Sequence, residues 1–216
     1  MKIRCIFLRL SCLCGLSLAS VSGLSAPETA VKDLLETPQS CLQYAEFRQE
    51  KTLSGLPRPL VSRGRILLDC NSGTMWSTRP PISETLVYTF GGKHWLINAE
   101  GGVEPIKGAP QKRIGDILAR IVRGDSEFID KYFRREVAGQ TTQLLPTQKR
   151  LKKYIETITL EETPAGMTVL VARTDKQNLR IDISTIRALP DLDAESCRTL
   201  LETSAGCAQL LAGADG

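Results

Sequence analysis

At 216 residues, with 42% hydrophobic residues and a formal net charge of +4, the chain is too apolar for a disordered polyelectrolyte and too weakly basic for a nonspecific nucleic-acid binder. Three of the basic residues, Lys2, Arg4 and Arg9, stand at the very start; without them the charge falls to about +1. The remaining ~190 residues suit one domain with a substantial core and exclude a second full domain.

The first residues read as an address. A basic start is followed by the apolar run Leu10 to Val21 and then by small residues. That run is about 12 residues, short of the ~20 needed to span a bilayer, so a cleaved signal peptide is predicted over 1–25 and the mature domain over 26–216. Cleavage after Gly23 or Ser25 suits the small-residue rule, and neither Cys12 nor Cys14 has the small-residue context of a lipid attachment site. Cys5, Cys12 and Cys14 leave with the leader, whereas Cys41, Cys70, Cys197 and Cys207 stay. An even set in an oxidising compartment implies two disulfides, with three possible connectivities. Spacing favours Cys197 with Cys207 as a staple on a C-terminal turn, leaving Cys41 to tie the approach of the first strand to Cys70. Zinc is the competing use of these thiols. With His94 the sole histidine and no C-x-x-C pair, no metal or cofactor is expected.

In chain order, Ala30, Val31, Leu34 and Leu35 recur at helical spacing up to Pro38, predicting a short amphipathic helix. From Leu42 through Tyr44 to Phe47 the pattern alternates, predicting a strand. A Pro/Gly-punctuated loop follows, then a hairpin whose turn is Asn71-Ser72-Gly73, between Ile66-Leu67-Leu68 and Met75-Trp76. Leu86, Tyr88 and Phe90 share one face of a further strand; Gly91-Gly92 turns it into His94 to Ile97, and Gly101-Gly102 leads into Val103 to Ile106. The period then changes. Ile114, Ile117, Leu118, Ile121 and Val122 form one helical stripe ended by Gly124, and Asp125 or Ser126 caps a second helix with Phe128, Ile129, Tyr132 and Phe133 on its apolar face. Strands return at Thr142 to Leu145, Tyr154 to Leu160, Met167 to Ala172 and Leu179 to Ile186, with turns at Pro164-Ala165-Gly166 and Asp175 to Asn178. Leu200 and Leu201 suggest a short helical turn, and the last residues a loose tail. The order excludes a doubly wound parallel sheet and predicts an α+β fold.

Chemistry is sparse. His94 is the single candidate base and no G-x-S-x-G elbow accompanies it, so it reads as a surface or rim residue. Gly91-Gly92-Lys93 lacks the rest of a phosphate loop, and Glu161 and Glu162, being adjacent, face opposite ways in a strand. No catalytic residue is assigned and an enzyme is not expected. Lys149, Arg150, Lys152 and Lys153 read as a solvated loop and edge strand kept from aggregating by charge, or as a patch for anionic lipid or an acidic partner. The apolar stripes of the two central helices suit the concave face of a curled antiparallel sheet, as core or as the cover of a lined cavity.

Phe47-x-Gln49, Gly64 entering the hairpin, Trp76 with Pro81 five positions on, and Gly92-Lys93 with Trp95 just after resemble the LolA-like family of periplasmic lipoprotein carriers, as does the order of elements. The resemblance implies an incomplete antiparallel β-barrel with a helical lid, holding lipid or lipoprotein acyl chains in a hydrophobic cavity. It implies a carrier of the Gram-negative periplasm that takes cargo from an inner-membrane exporter to an outer-membrane acceptor without covalent catalysis. One departure concerns the basic residue and proline that such carriers place before the hairpin tryptophan. Cys70-Asn71 stands there instead, and Arg79-Pro80 lies beyond Trp76, so that role does not pass to Arg79, and polyene or glycolipid cargo fits as well as lipoprotein. The candidate cavity wall is Phe47, Leu68, Trp76 and Trp95, and the candidate lid Ile117, Leu118 and Ile121. A monomer with no nucleic-acid partner is expected. The competing reading is a periplasmic sensor or interaction module of the same fold that binds a membrane-protein partner through a sheet edge or the basic run.

Overall fold

The computed structural model describes residues 41–80, 83–190 and 192–212; the predicted helix at Ala30 to Leu35, the leader and residues 213–216 lie outside them. Eleven strands form one antiparallel sheet: β1 (Leu42–Lys51), β2 (Leu60–Asp69), β3 (Gly73–Thr78), β4 (Glu84–Thr89), β5 (His94–Ile97), β6 (Val103–Pro105), β7 (Phe133–Ala138), β8 (Thr141–Pro146), β9 (Ile155–Thr163), β10 (Gly166–Arg173) and β11 (Leu179–Ala188). The spatial order is β6-β5-β4-β3-β2-β1-β11-β10-β9-β8-β7, so β1 joins the two halves by pairing with β11, and β6 and β7 are the free edges. The sheet is curved and not closed, and with its helices it forms the α+β incomplete barrel expected from the sequence.

Turn chemistry sets the register. At the β2–β3 hairpin the Asp69 carboxylate accepts from the Asn71 backbone N–H at 2.9 Å and from Ser72 Oγ at 2.7 Å. That fixes Leu68 opposite Thr74 and Ile66 opposite Trp76. Because side chains alternate along each strand, the pairings sort residues into rows of one face. Gln43, Leu68, Thr74, Tyr88 and His94 form one row, and Ala45, Ile66, Trp76, Leu86 and Leu96 the next row on the same, inner face. Tyr44, Leu67, Met75, Val87 and Trp95 form the row between them, on the outer face.

On the inner face lies α1 (Ala109–Val122), whose Ile114, Ile117, Leu118 and Ile121 pack into one cluster with Phe47, Ile66, Trp76, Tyr88, Val169, Val171, Ile181 and Ile183. A second helix, α2 (Ser126–Tyr132), follows after Gly124. Its cap is Asp125, which accepts from the Phe128 backbone N–H at 3.0 Å and from Arg123 and Arg120. Phe133 does not extend this helix: it takes extended backbone angles (φ −133, ψ 150), opens β7 and is buried in the inner cluster. Lys149 to Lys152 also depart from expectation. They form a helical turn, α3 (Lys149–Lys152), rather than an edge strand, because Leu151 turns inward while the cations stay in water.

The outer face of β2 to β5 is covered by α4 (Ala194–Leu201) and α5 (Ser204–Leu211), a full helix more than the single turn expected. Cys197–Cys207 links the two (Cα–Cα 5.9 Å), and Cys41–Cys70 ties the start of β1 to the end of β2 (Cα–Cα 5.0 Å), the pairing that spacing favoured. Arg65 donates to the Leu200 carbonyl at 2.6 Å and pairs with Glu202 at 2.8 Å, fastening the α4–α5 turn to the sheet. Over the second half of β1 and its neighbours on β10 and β11 the outer face carries an ionic group instead, with Arg48, Arg180 and Asp182 together and Thr168 donating to Asp182 at 2.8 Å. No helix among the described residues is long and apolar enough to cross a membrane.

Candidate functional site

The α1 helix approaches the sheet closely at a glycine. A Cβ at Gly115 would fall 2.0 Å from Cζ of Tyr88, so the helix backbone rests directly on that ring. A second close approach lies below it. A Cβ at Gly64 would meet the Ser77 carbonyl at 2.0 Å and the Phe47 ring at 2.7 Å; its absence lets that ring lie across β2 and meet Trp76 edge-on at 5.4 Å. The Phe47, Gly64 and Trp76 of the family-like pattern are thus one stacking unit.

On either side of this contact the interior is hollow. The larger hollow, about 630 Å³, lies at the C-terminal end of α1, walled by Ala45, Ile66, Leu68, Ile121, Met167 and Ile183. The smaller, about 390 Å³, lies at its N-terminal half, walled by Phe47, Trp76, Leu86, Ile114, Leu118 and Ile181. Both fall in the size range of pockets for small organic ligands.

Of the candidate residues, Phe47, Trp76 and Leu118 line the smaller hollow and Leu68 and Ile121 the larger, while Ile117 is buried in the helix–sheet contact and lines neither. Trp95 is not among them. Its pairing with Val87 puts it in the outer row, packed against the α4–α5 cluster. His94 is corrected in the opposite sense: as the register partner of Tyr88 it points inward, is 7% exposed, and lies 5.3 Å from the Tyr88 ring. Burial lowers its pKa below the usual 6.5, against the pull of Asp116, and burial likewise pushes the Tyr88 phenol well up, with Glu84 and Asp116 adding. Nδ1 of His94 has no hydrogen-bond partner among the described residues, and no nucleophile is hydrogen-bonded to the ring there.

Residues missed in the sequence include Tyr88 as the support of α1, Gly115, and the polar groups of the smaller hollow, Lys51 and Arg173. Gly115 carried a signal, since a glycine inside a strong helical stripe marks a close backbone approach. The arrangement as a whole can hold an apolar guest and shield it from water.

No protein-family model matches the chain, and no curated protein matches it in sequence. Among solved structures, a LolA superfamily protein from Nitrosomonas europaea is similar at 10% identity and a TM-score of 0.45, over 76% of this chain and 94% of that one. A DUF1329 family protein from Desulfovibrio piger is similar at 14% identity and a TM-score of 0.46, over 77% and 92%. A putative outer membrane lipoprotein-sorting protein domain from Vibrio parahaemolyticus is similar at 11% identity and a TM-score of 0.46, over 73% and 89%. At these values the likeness is one of outline.

Proposed function

We propose that this chain is a periplasmic carrier that binds the acyl chains of a lipid or lipoprotein in the hollows beside α1 and moves them from an inner-membrane exporter towards an outer-membrane acceptor. Binding is noncovalent and no residue is assigned to catalysis. The observation that carries the reading is the 630 Å³ hollow, to which the sheet contributes Ala45, Ile66, Leu68, Met167 and Ile183 and the helix Ile121 and Val122, with polar residues such as Gln43, Gln140 and Glu162 also in its lining. Each methylene buried there contributes about 0.8 kcal/mol. Phe47, Leu68, Trp76, Leu118 and Ile121 are the contacts, with Ile117 holding α1 on the sheet. Release follows from a difference in affinity between α1-docked and α1-displaced states.

Lipid co-extracted with the purified mature protein, identified by mass spectrometry, tests this directly. Leu68→Trp fills the larger hollow and is expected to lower affinity for a neutral fluorescent acyl probe about tenfold or more, the loss of roughly two buried methylenes. Lipid-free protein that binds no such probe would overturn the proposal.

A second reading, an interaction module for a membrane-protein partner, is favoured by the β1–β2 hairpin tip, where Leu56, Leu60 and Val61 are exposed beside Arg58 and Arg63. A photocrosslinker at Leu56 that traps a regulatory membrane protein, with neither exporter nor acceptor, would select it.

A further inference from the structure

The two hollows differ in chemistry. Glu162 is the single formally charged residue in the lining of the larger one. The smaller one is lined by Lys51, Lys107 and Arg173 against one carboxylate, Glu84. Lys107 is engaged by Glu104 at 3.0 Å and Arg173 Nη2 by Asp175, whereas Lys51 has no ion-pair partner among the described residues. Two N–H donors of this lining are buried without an acceptor among the described residues: Nε1 of Trp76, a residue 7% exposed, and Nε of Arg173, whose side chain is 17% exposed. Buried donors are almost always paired, so two orphans in one cavity wall point to acceptors that arrive with a guest.

We infer that the smaller hollow is a head-group subsite for the anionic, oxygen-bearing end of an amphiphile, with Lys51 supplying unpaired positive charge and, once the seated guest has parted the wall, Trp76 Nε1–H and Arg173 Nε–H donating to its oxygens. The inference deepens the carrier reading and rests on it. Phe47, Leu86, Leu118 and Ile181 give the site apolar walls, which strengthen charge-assisted hydrogen bonds by excluding water. A carboxylate and a phosphate with a neighbouring ester carbonyl share this chemistry. Neutral glycerides and long-chain alcohols lack the charge.

The test is displacement of the neutral probe N-phenyl-1-naphthylamine by oleate, oleoyl-lysophosphatidate and monoolein, on delipidated full mature protein. Either anionic ligand is expected to displace the probe at concentrations about tenfold lower than monoolein, the equivalent of one charge-assisted hydrogen bond. Whichever anion is the tighter identifies the head group as carboxylate or phosphate. Arg173→Met and the more peripheral Lys51→Met are each expected to bring that ratio towards unity without weakening monoolein, whereas Trp76→Phe, which also trims an acyl contact, is expected to lower the ratio while weakening all three ligands; thermal melts confirm the fold. Leu68→Trp, by contrast, lowers all three together. Equal displacement by all three ligands in the wild type, or an anionic preference that survives all three substitutions, overturns the subsite and leaves the carrier reading standing. A protein that binds neither probe nor ligand removes both.

Discussion

The same strands, β2 to β5, carry helices on both faces, and the two covers are built differently. Outside, α4 and α5 are cross-linked by Cys197–Cys207, fastened by Arg65 and Ser77 to helix carbonyls, and sealed over Leu67, Met75, Leu201 and Leu210, none more than 2% exposed. Inside, one 14-residue helix spans a wider surface, is seated on Tyr88 through Gly115, and leaves a hollow towards each end. Two short helices with a covalent tie can close over a narrow patch. A single helix over a curved sheet cannot, because a rod touches a trough along a line and the space beside that line stays unfilled unless long side chains reach it.

The contrast predicts opposite responses on the two sides. Leu201→Ala in the sealed outer cluster is expected to cost the most, about 3–4 kcal/mol in urea unfolding, with acyl-probe affinity unchanged. Opening Cys197–Cys207, whose sequence separation is 10, should cost about 2.7 kcal/mol by loop entropy, seen as a lower melting temperature for the double serine variant. Gly115→Ala sharpens the inner side. Its Cβ enters the Tyr88 ring, so about 2 kcal/mol is lost despite the better helix propensity, and Tyr88→Leu in the same chain should cost less than the two changes summed. Leu68→Ala borders a space that already exists, so little cavity cost is added; about 1.5 kcal/mol is expected, together with a measurable change in probe binding.

The smallest effect comes from pH. His94 is held below its usual 6.5, so the unfolded chain binds its proton more readily than the folded one. Its contribution to stability is whole above pH 6.5 and is lost as pH falls through the lower, folded value. His94→Gln should flatten that part of the stability–pH curve and leave the rest in place.

Most strands were legible because their alternation is two-residue and their turns carry Gly, Asn or Asp. Phe133 was not: it stands four residues after Ile129, a spacing that fits a helical stripe and a buried strand start equally well. The last helix was faint because Ser204 to Leu211 mixes small and apolar residues with little polar contrast. Trp76 and Trp95 look equivalent as aromatic residues in neighbouring strands. Only counting parity through Val87 and Met75 separates them, since His94 and Leu96 then take the inward positions. The donors of the smaller hollow were beyond reach, because Lys51, Trp76 and Arg173 come from three strands whose meeting depends on β1 bridging the halves of the sheet.

The sheet also stops where it does for a reason. Its β7 border carries Arg134, Arg135 and Glu136 in three successive positions, and its β6 border is three residues long and finishes on Pro105, which has no amide hydrogen to offer. Neither margin is a good template for a further strand from another molecule, which guards a half-open architecture against edge-to-edge stacking.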